Sequence, residues 1–229
     1  MKTRQTGFTL VEIAIVLVII GLLLGGILKG QEMITQAKIK NVINDLNGVT
    51  AALNSYQDRY RALPGDDKGA ALRWPGAAGI VAGDGDGVIS GAYVPAAPGN
   101  ETAQFWLDLR QAGFIAGTGL DNPFNPLSGK MGVQTGNGPA PKAAPTAVLG
   151  STSTPAVNGF TGLILCSANL PDKMAISVDA QVDDGIATTG SVRGVDQAGA
   201  PNPPVTADLK NAQYIEDGTK SYLVCRTMI

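Results

Sequence analysis

The sequence predicts an α+β protein in which one long N-terminal helix packs on a small antiparallel sheet and the C-terminal part is rich in loops. Residues 13–28 contain no charged or strongly polar side chain, and the apolar residues that follow recur at steps of three and four as far as Tyr60. Short apolar runs of strand composition lie near the C-terminus. The chain also has 30 glycines and 14 prolines, which indicate long loops between these elements.

The first half of the predicted helix, residues 8–28, is long enough to cross a bilayer. A helix of this length spans roughly 30 Å at about 1.5 Å per residue. Lys2 and Arg4 precede the segment, Lys29 follows it, and no small-residue cleavage site of an ordinary secretory signal comes after it. The positive charge before the segment favours a cytoplasmic N-terminus, with everything after Lys29 on the other side of the membrane.

The second half of the helix, residues 29–62, is predicted to be an amphipathic continuation. Its apolar positions share one helical face, which suits packing on a sheet, and polar residues supply most of the opposite face. The apolar positions are Ile39, Val42, Ile43, Leu46, Val49, Leu53, Tyr56 and Tyr60. Pro64 and Gly65 end the helix, and residues 63–229 are predicted to form a globular domain.

Within this globular domain the sequence predicts two further helices and two strands. Helices are expected at residues 100–113, from an asparagine N-cap to a glycine, and at residues 171–182. Residues 160–166 and 222–225 are short apolar runs and are predicted strands. The composition of residues 126–158, rich in Gly, Pro, Ala, Ser and Thr, predicts a long loop with at most one short hairpin.

The junction between the basic leader and the apolar segment carries the most specific motif of the chain. Residues 7–12 read Gly-Phe-Thr-Leu-Val-Glu. This junction closely resembles the prepilin motif of type IV pilins and type II secretion pseudopilins, and the resemblance implies a pilin-like fold. It also implies that a prepilin peptidase removes the leader, residues 1–7, by cleaving between Gly7 and Phe8, and N-methylates Phe8. The mature protein would then keep residues 8–28 as a transmembrane and assembly helix.

Glu12 is the only charged residue within residues 8–28. A carboxylate at membrane depth costs up to a few kcal/mol and is therefore a candidate for a functional role. The resemblance implies that Glu12 forms an assembly salt bridge with the new N-terminal amine of a neighbouring subunit, which sets the register between subunits. In the alternative interpretation, Glu12 lies near the cytoplasmic face of the membrane and its side chain reaches water.

The resemblance implies a structural role in a filament. The protein would wait in the bacterial inner membrane with its C-terminal domain in the periplasm, and then polymerise with the same or other pilins into a type IV pilus (fimbrium) or a type II secretion pseudopilus. Its partners would be the prepilin peptidase and the inner-membrane assembly machinery. The alternative, favoured by the long Gly- and Pro-rich loops, is a minor or tip subunit that binds DNA, glycan or a secreted protein.

Cys166 and Cys225 are the only cysteines of the chain. If the domain lies outside the cytoplasm, a disulfide between them is expected, because that compartment permits oxidation. Two buried free thiols are the alternative. A zinc site is a poor interpretation, since the chain contains no histidine to complete the ligand set.

A Gly-Asp-Gly-Asp-Gly sequence at residues 83–87 is the sharpest motif of the globular domain. Alternating aspartates among glycines resemble the start of a calcium loop, which makes Asp84 and Asp86 candidate calcium ligands. The distant glutamate of an EF-hand is missing, so further oxygens would have to come from Asp66 and Asp67 or from Glu101. The alternative is a Gly-Asp turn solvated at the surface. Calcium is the only cofactor that the sequence suggests.

Composition and motifs favour a protein that is not an enzyme. Without histidine, a Ser-His-Asp or Cys-His arrangement is impossible. The sequence also lacks a phosphate-binding Walker loop, a dinucleotide-binding fingerprint and a G-x-S-x-G elbow. The charge argues against nonspecific nucleic-acid binding by the monomer, because the net charge of the chain is −2 and loss of the basic leader makes it more negative.

Overall fold

The computed structural model describes residues 9–95, 97–150, 158–205 and 213–228. Its helices are α1 (Leu10–Tyr60), α2 (Ala70–Arg73), α3 (Glu101–Gln111) and α4 (Asp172–Val182). Its strands are β1 (Met131–Thr135), β2 (Leu163–Pro171), β3 (Val192–Asp196) and β4 (Ser221–Thr227). One long N-terminal helix and a four-stranded antiparallel sheet confirm the predicted α+β class. The chain divides into two compact units, Met1–Lys38 and Ile39–Ile229.

In the first unit, the described residues form the N-terminal part of α1. Side chains from Thr9 to Lys29 are exposed, although most of them are large and apolar. An 18-residue window of α1 has a mean hydropathy of 2.8 and contains no buried residue, so the helix is long and apolar enough to cross a membrane. Because the unit buries none of this surface itself, the hydrophobic effect favours covering it with lipid or with another apolar surface.

In the second unit, the sheet has the strand order β1-β2-β4-β3 and every neighbouring pair is antiparallel. One face of the sheet packs against helices. The apolar face of α1 contributes Ile39, Val42, Leu46, Val49, Leu53 and Tyr56, all buried, to a cluster with residues of α3, α4 and alternate positions of the strands. Burial of each large apolar side chain stabilises the fold by about 1.5–3 kcal/mol, which explains the spacing of three and four in the sequence.

The opposite face of the sheet is covered by loop residues. Alternate positions of β2 and β4 point to this face and pack with Tyr93, Val148 and Leu149. Cys166 and Cys225 are direct partners in the register of β2 and β4, and their sulfurs form a disulfide. The structure therefore contains the expected cystine, fully buried on the face of the central strand pair that is remote from α1.

Two of the four strands were not predicted. Residues 131–135 fall within the segment predicted to be mostly loop, and their described structure is the edge strand β1, all five residues of which are buried. The sequence of β1, Met-Gly-Val-Gln-Thr, is short and contains a glycine, so it gives only a weak strand signal, and pairing with β2 decides its conformation. Strand β3 was also missed, and β2 begins at Leu163 rather than at residue 160. Residues 151–157 of the predicted loop lie outside the described residues.

Candidate functional sites

The predicted processing site lies at the edge of what the structure describes. Gly7 and Phe8 fall outside the described residues, which begin at Thr9, and α1 begins at Leu10. Glu12 lies in the first turn of this helix and its side chain is exposed. A negative charge in the first turn interacts favourably with the helix dipole, so the position of Glu12 suits the start of a helix.

Thr9 and Glu12 form a reciprocal capping box. The backbone N–H and the hydroxyl of Thr9 both donate to Glu12 Oε2 at 2.8 Å, and the backbone N–H of Glu12 lies 3.3 Å from Thr9 Oγ1. This arrangement satisfies free N–H groups at the helix N-terminus. Thr9 was not singled out from the sequence, although threonine followed three residues later by glutamate before an apolar run is the local signal for such a cap.

The charge of Glu12 has no cationic partner among the residues that the structure describes. Lys29 is the next basic residue along α1, about 25 Å further along the helix axis at 1.5 Å per residue. Lys29 is itself paired with Glu32 at 2.8 Å. The carboxylate of Glu12 is therefore hydrogen-bonded to its own helix end but not neutralised within the described chain.

A second group of carboxylates lies in the unit Ile39–Ile229, where the turn after α1 meets α3. Gly65 has φ +88°, and a Cβ at this position would collide with the backbone oxygen of Glu101. The backbone N–H of Gly65 donates to Asp108 Oδ2 at 2.7 Å, which holds the turn against α3. Only glycine permits this close approach, and it brings Asp66 to the beginning of α3.

The side chain of Asp66 binds the backbone of the Gly-Asp loop, residues 83–87. Its carboxylate accepts hydrogen bonds from the backbone N–H groups of Gly85, Asp86 and Gly87, with distances of 3.2 Å to Asp86 and 2.7 Å to Gly87. At Gly83 a Cβ would collide with the backbone of Asp66, so the loop can lie this close only because residue 83 is glycine. Residues 85–87 are exposed, as the alternative of a surface turn predicts, but their backbone N–H groups bind a buried carboxylate rather than water.

Asp66, Asp84 and Glu101 each place one carboxylate oxygen within 4.8 Å of the other two. Glu101 accepts the backbone N–H of Ser90 at 2.8 Å and that of Asp84 at 3.4 Å. Asp66 and Glu101 are only 4% and 9% exposed. Burial raises the pKa of both carboxyl groups, and the charges of Asp86 and Asp66 raise them further, while the backbone hydrogen bonds oppose the shift.

Asp86, the second predicted calcium ligand, is not part of this group of three. Its carboxylate oxygens accept the backbone N–H groups of Val88 and Lys142, both at 2.8 Å, and its side chain is exposed. Asp86 therefore stabilises the loop, because an aspartate side chain commonly closes a turn by accepting the backbone N–H of the residue two positions later, here Val88.

Asp67 also lies apart from the three carboxylates. Its oxygens bind the Tyr56 hydroxyl at 2.7 Å and the Arg73 guanidinium at 2.6 Å. Although burial opposes the shift, the hydrogen bond from Arg73 lowers the pKa of Asp67 below its usual value. This carboxylate is already neutralised by its own cation.

A second acidic group, Asp179, Asp183 and Asp184, has a different environment. Its carboxylates accept hydrogen bonds from six donors: the Tyr214 and Thr189 hydroxyls and the backbone N–H groups of Gly185, Ile186, Ser191 and Val192. These donors tie the end of α4 to the start of β3. Asp183 and Asp184 lie at the surface, and none of the three residues has a buried oxygen without a hydrogen-bond partner in the described structure, so this group is a structural turn.

Residues 2–28 match the family model described as the prokaryotic N-terminal methylation motif. This motif is the signature of type IV pilins and pseudopilins, so residues 2–28 are similar to the N-terminus of a pilin-like precursor. The match includes the predicted cleavage site, Glu12 and the apolar segment. The motif and the long apolar helix fit a membrane-anchored pilin, and the motif is typical of structural proteins rather than enzymes. No curated protein and no solved structure matches the chain.

Proposed function

Because the chain carries the prokaryotic N-terminal methylation motif at residues 2–28, we propose that it is a structural subunit of a type IV pilus or a type II secretion pseudopilus. The observation that carries this proposal is the continuity of the motif with an exposed apolar helix whose only carboxylate within residues 8–28 has no described cationic partner. After cleavage, this helix anchors the subunit in the inner membrane. During assembly, the same surface packs against sister helices.

The exposed surface of α1 supports polymerisation through this helix. Its leucines, isoleucines and valines are exposed from Leu10 to Ile34, on every side of the helix rather than along one stripe. A helix that is apolar all around is suited to lipid or to the centre of a helical assembly. Exchange of lipid for neighbouring helices keeps this surface away from water, so extraction from the membrane need not expose it.

Glu12 supports a specific register in that assembly. Its carboxylate is bonded to Thr9, but no described residue neutralises its charge, which is costly in an apolar environment. Cleavage before Phe8 creates a new amine, the group that a neighbouring subunit can offer to this carboxylate. A pair of buried opposite charges favours the arrangement in which they meet, because any other register leaves one charge unpaired.

The variant Glu12→Ala is expected to insert into the membrane normally but to reduce filament yield about tenfold, the effect of losing about 1.4 kcal/mol at each subunit contact. Immunoblotting of sheared filaments and of membrane fractions measures both quantities. Glu12→Gln is the matched control for the capping box, since glutamine can still accept the hydrogen bonds of Thr9. Full filament yield with Glu12→Gln would contradict the role of the charge and leave only the helix cap.

The variant Gly7→Leu is expected to retain the leader, because a bulky side chain replaces the small residue at the cleavage site of the motif. Mass spectrometry of the N-terminus would then find residues 1–7 attached and Phe8 unmethylated. Gln5→Ala is a control within the leader and is expected to be processed normally. A mature N-terminus at Phe8 in Gly7→Leu would disprove the predicted cleavage site.

The abundance of the protein in filaments distinguishes a main structural subunit from a minor one. A main structural subunit dominates sheared filaments, whereas a minor or tip subunit that binds DNA, glycan or a secreted protein is present in few copies. Quantitative mass spectrometry of purified filaments distinguishes these roles. Either result agrees with the proposal that the protein is a structural subunit. The proposal fails if the protein is found only as a membrane monomer in cells that make filaments.

A further inference from the structure

We propose that Asp66, Asp84 and Glu101 bind a calcium ion at the edge of a cavity in the globular unit. The cavity has a volume of about 430 Å³, and its lining includes Asp84, Ser90 and Glu101. One carboxylate oxygen of each of the three acidic residues lies within 4.8 Å of the others. Two oxygens that share a calcium ion at about 2.4 Å can be up to about 4.8 Å apart, so these oxygens can reach one ion.

Two buried oxygen atoms beside these carboxylates lack a hydrogen-bond partner. Ser90 is only 6% exposed, and its hydroxyl oxygen is buried without a partner although the residue lines the same cavity as Asp84 and Glu101. Asp84 Oδ2 is also buried and unpaired. Buried polar atoms are nearly always bonded, so these two oxygens on one cavity are available as ligands for a cation.

The charge of the three carboxylates is also uncompensated. Within the described parts of the chain, no lysine or arginine forms an ion pair with any of them. Lys68 lies beside Gly85 but makes no ion pair, and Arg73 is bound to Asp67. Three neighbouring carboxylates, of which Asp66 and Glu101 are buried and Asp84 is partly exposed, repel one another, and a divalent ion removes that repulsion.

The ligands favour calcium over other metals. All the available atoms are oxygens, which suit a hard cation and exclude a thiolate or imidazole site. Calcium accepts six to eight oxygens in a flexible geometry, and the cavity leaves room for water to complete the shell. Magnesium demands a near-ideal octahedron and usually takes only one or two carboxylates. The three carboxylate ligands come from three separate segments of the chain, so an ideal octahedral arrangement is not imposed on them. The flexible coordination of calcium fits such ligands better.

Calcium would link three segments that are distant in sequence. Asp66 follows the end of α1, Asp84 lies in the Gly-Asp loop, and Glu101 begins α3. Without the ion, the segments are held by the hydrogen bonds of Asp66 and Glu101 to backbone N–H groups. Calcium binding is therefore expected to stabilise a preformed arrangement rather than to create it.

The full mature chain in detergent, freed of metal with a chelator, provides the test. Calcium at about 100 times its Kd is expected to raise the thermal midpoint by about 5 °C or more, because a ligand that binds only the folded state stabilises it. Isothermal titration is expected to find one calcium ion per chain. Absence of both effects would overturn the proposal, and an equal response to magnesium would overturn the assignment to calcium.

Two aspartates of the same loop serve as matched variants. Asp84→Asn is expected to lose the calcium response, while its remaining Oδ1 can still accept the backbone N–H of Asp86. Asp86→Asn is expected to keep the response, since Asp86 is outside the group of three. If Asp84→Asn fails to fold, Glu101→Gln takes its place, with the same expected loss. Equal responses of the wild type and a folded Asp84→Asn or Glu101→Gln protein would overturn the site.

Discussion

Replacement of Asp108 by asparagine is expected to flatten the dependence of folding stability on pH between about pH 4 and pH 7. Asp108 lies in α3, is 1% exposed, and accepts the backbone N–H of Gly65. Burial raises its pKa from 3.8 to about 7, the charge of Asp67 adds to this shift, and the Gly65 hydrogen bond and the charge of Arg73 oppose it. One of its oxygens, Oδ1, is buried without a hydrogen-bond partner.

The sign of the effect follows from the raised pKa of Asp108. Between pH 4 and pH 7 the folded protein holds a proton that the unfolded chain has lost, so the free energy of unfolding falls as the pH rises through this range. A shift of about three pKa units corresponds to roughly 4 kcal/mol of stability, fully lost above about pH 7. Asp108→Asn removes this titration and is expected to be more stable than the wild type at pH 8.

Urea titrations of the full chain in detergent and chelator, followed by tryptophan fluorescence at pH 5 and pH 8, measure the difference. Trp106 is fully buried in the same helix and reports its unfolding. Asp108→Ala is the matched control, because it also removes the titration but leaves the Gly65 N–H without its acceptor. It is expected to cost about 1–3 kcal/mol relative to Asp108→Asn at both pH values. An unchanged pH dependence in Asp108→Asn would show that Asp108 does not titrate in this range.

Removal of the disulfide is expected to lower the free energy of unfolding by about 4 kcal/mol. Cys166 and Cys225 are separated by 59 residues, and the closed loop includes α4 and β3. In the chain-entropy model, a cross-link that closes a loop of this length restricts the unfolded chain by about that amount. Since whole domains are stable by only about 5–15 kcal/mol, the loss is a large fraction of the total.

The double variant Cys166→Ala, Cys225→Ala tests the disulfide without placing new polar atoms in the core. Both sites are fully buried, so alanine is preferable to serine, whose hydroxyl would need a partner. Urea titrations of the variant are compared with the oxidised wild type and with the wild type under reductant. The reduced wild type is expected to resemble the variant. A difference below about 1 kcal/mol between variant and oxidised wild type would contradict the entropic argument.

The candidate sites were predictable from the sequence only in part. The methylation motif and Glu12 are contiguous in the chain, so their spacing alone indicates processing. The capping partner Thr9 was equally readable, because its signal is also local. For the acidic group, the sequence indicated Asp84 and offered Asp66 and Glu101 only among several possible sources of oxygen. It also assigned to Asp86 a role that its backbone hydrogen bonds do not support.

Local sequence by itself determined the long helix, its end near Pro64, the two shorter helices at residues 101–111 and 172–182, and the terminal strand. These elements depend on apolar periodicity and on residues that stop a helix, both of which act over a few neighbouring positions. Only the tertiary structure decided strands β1 and β3, since their conformation depends on pairing with β2 and β4. It also decided the meeting of Asp66, Asp84 and Glu101, because that contact depends on the close backbone approaches that Gly65 and Gly83 permit.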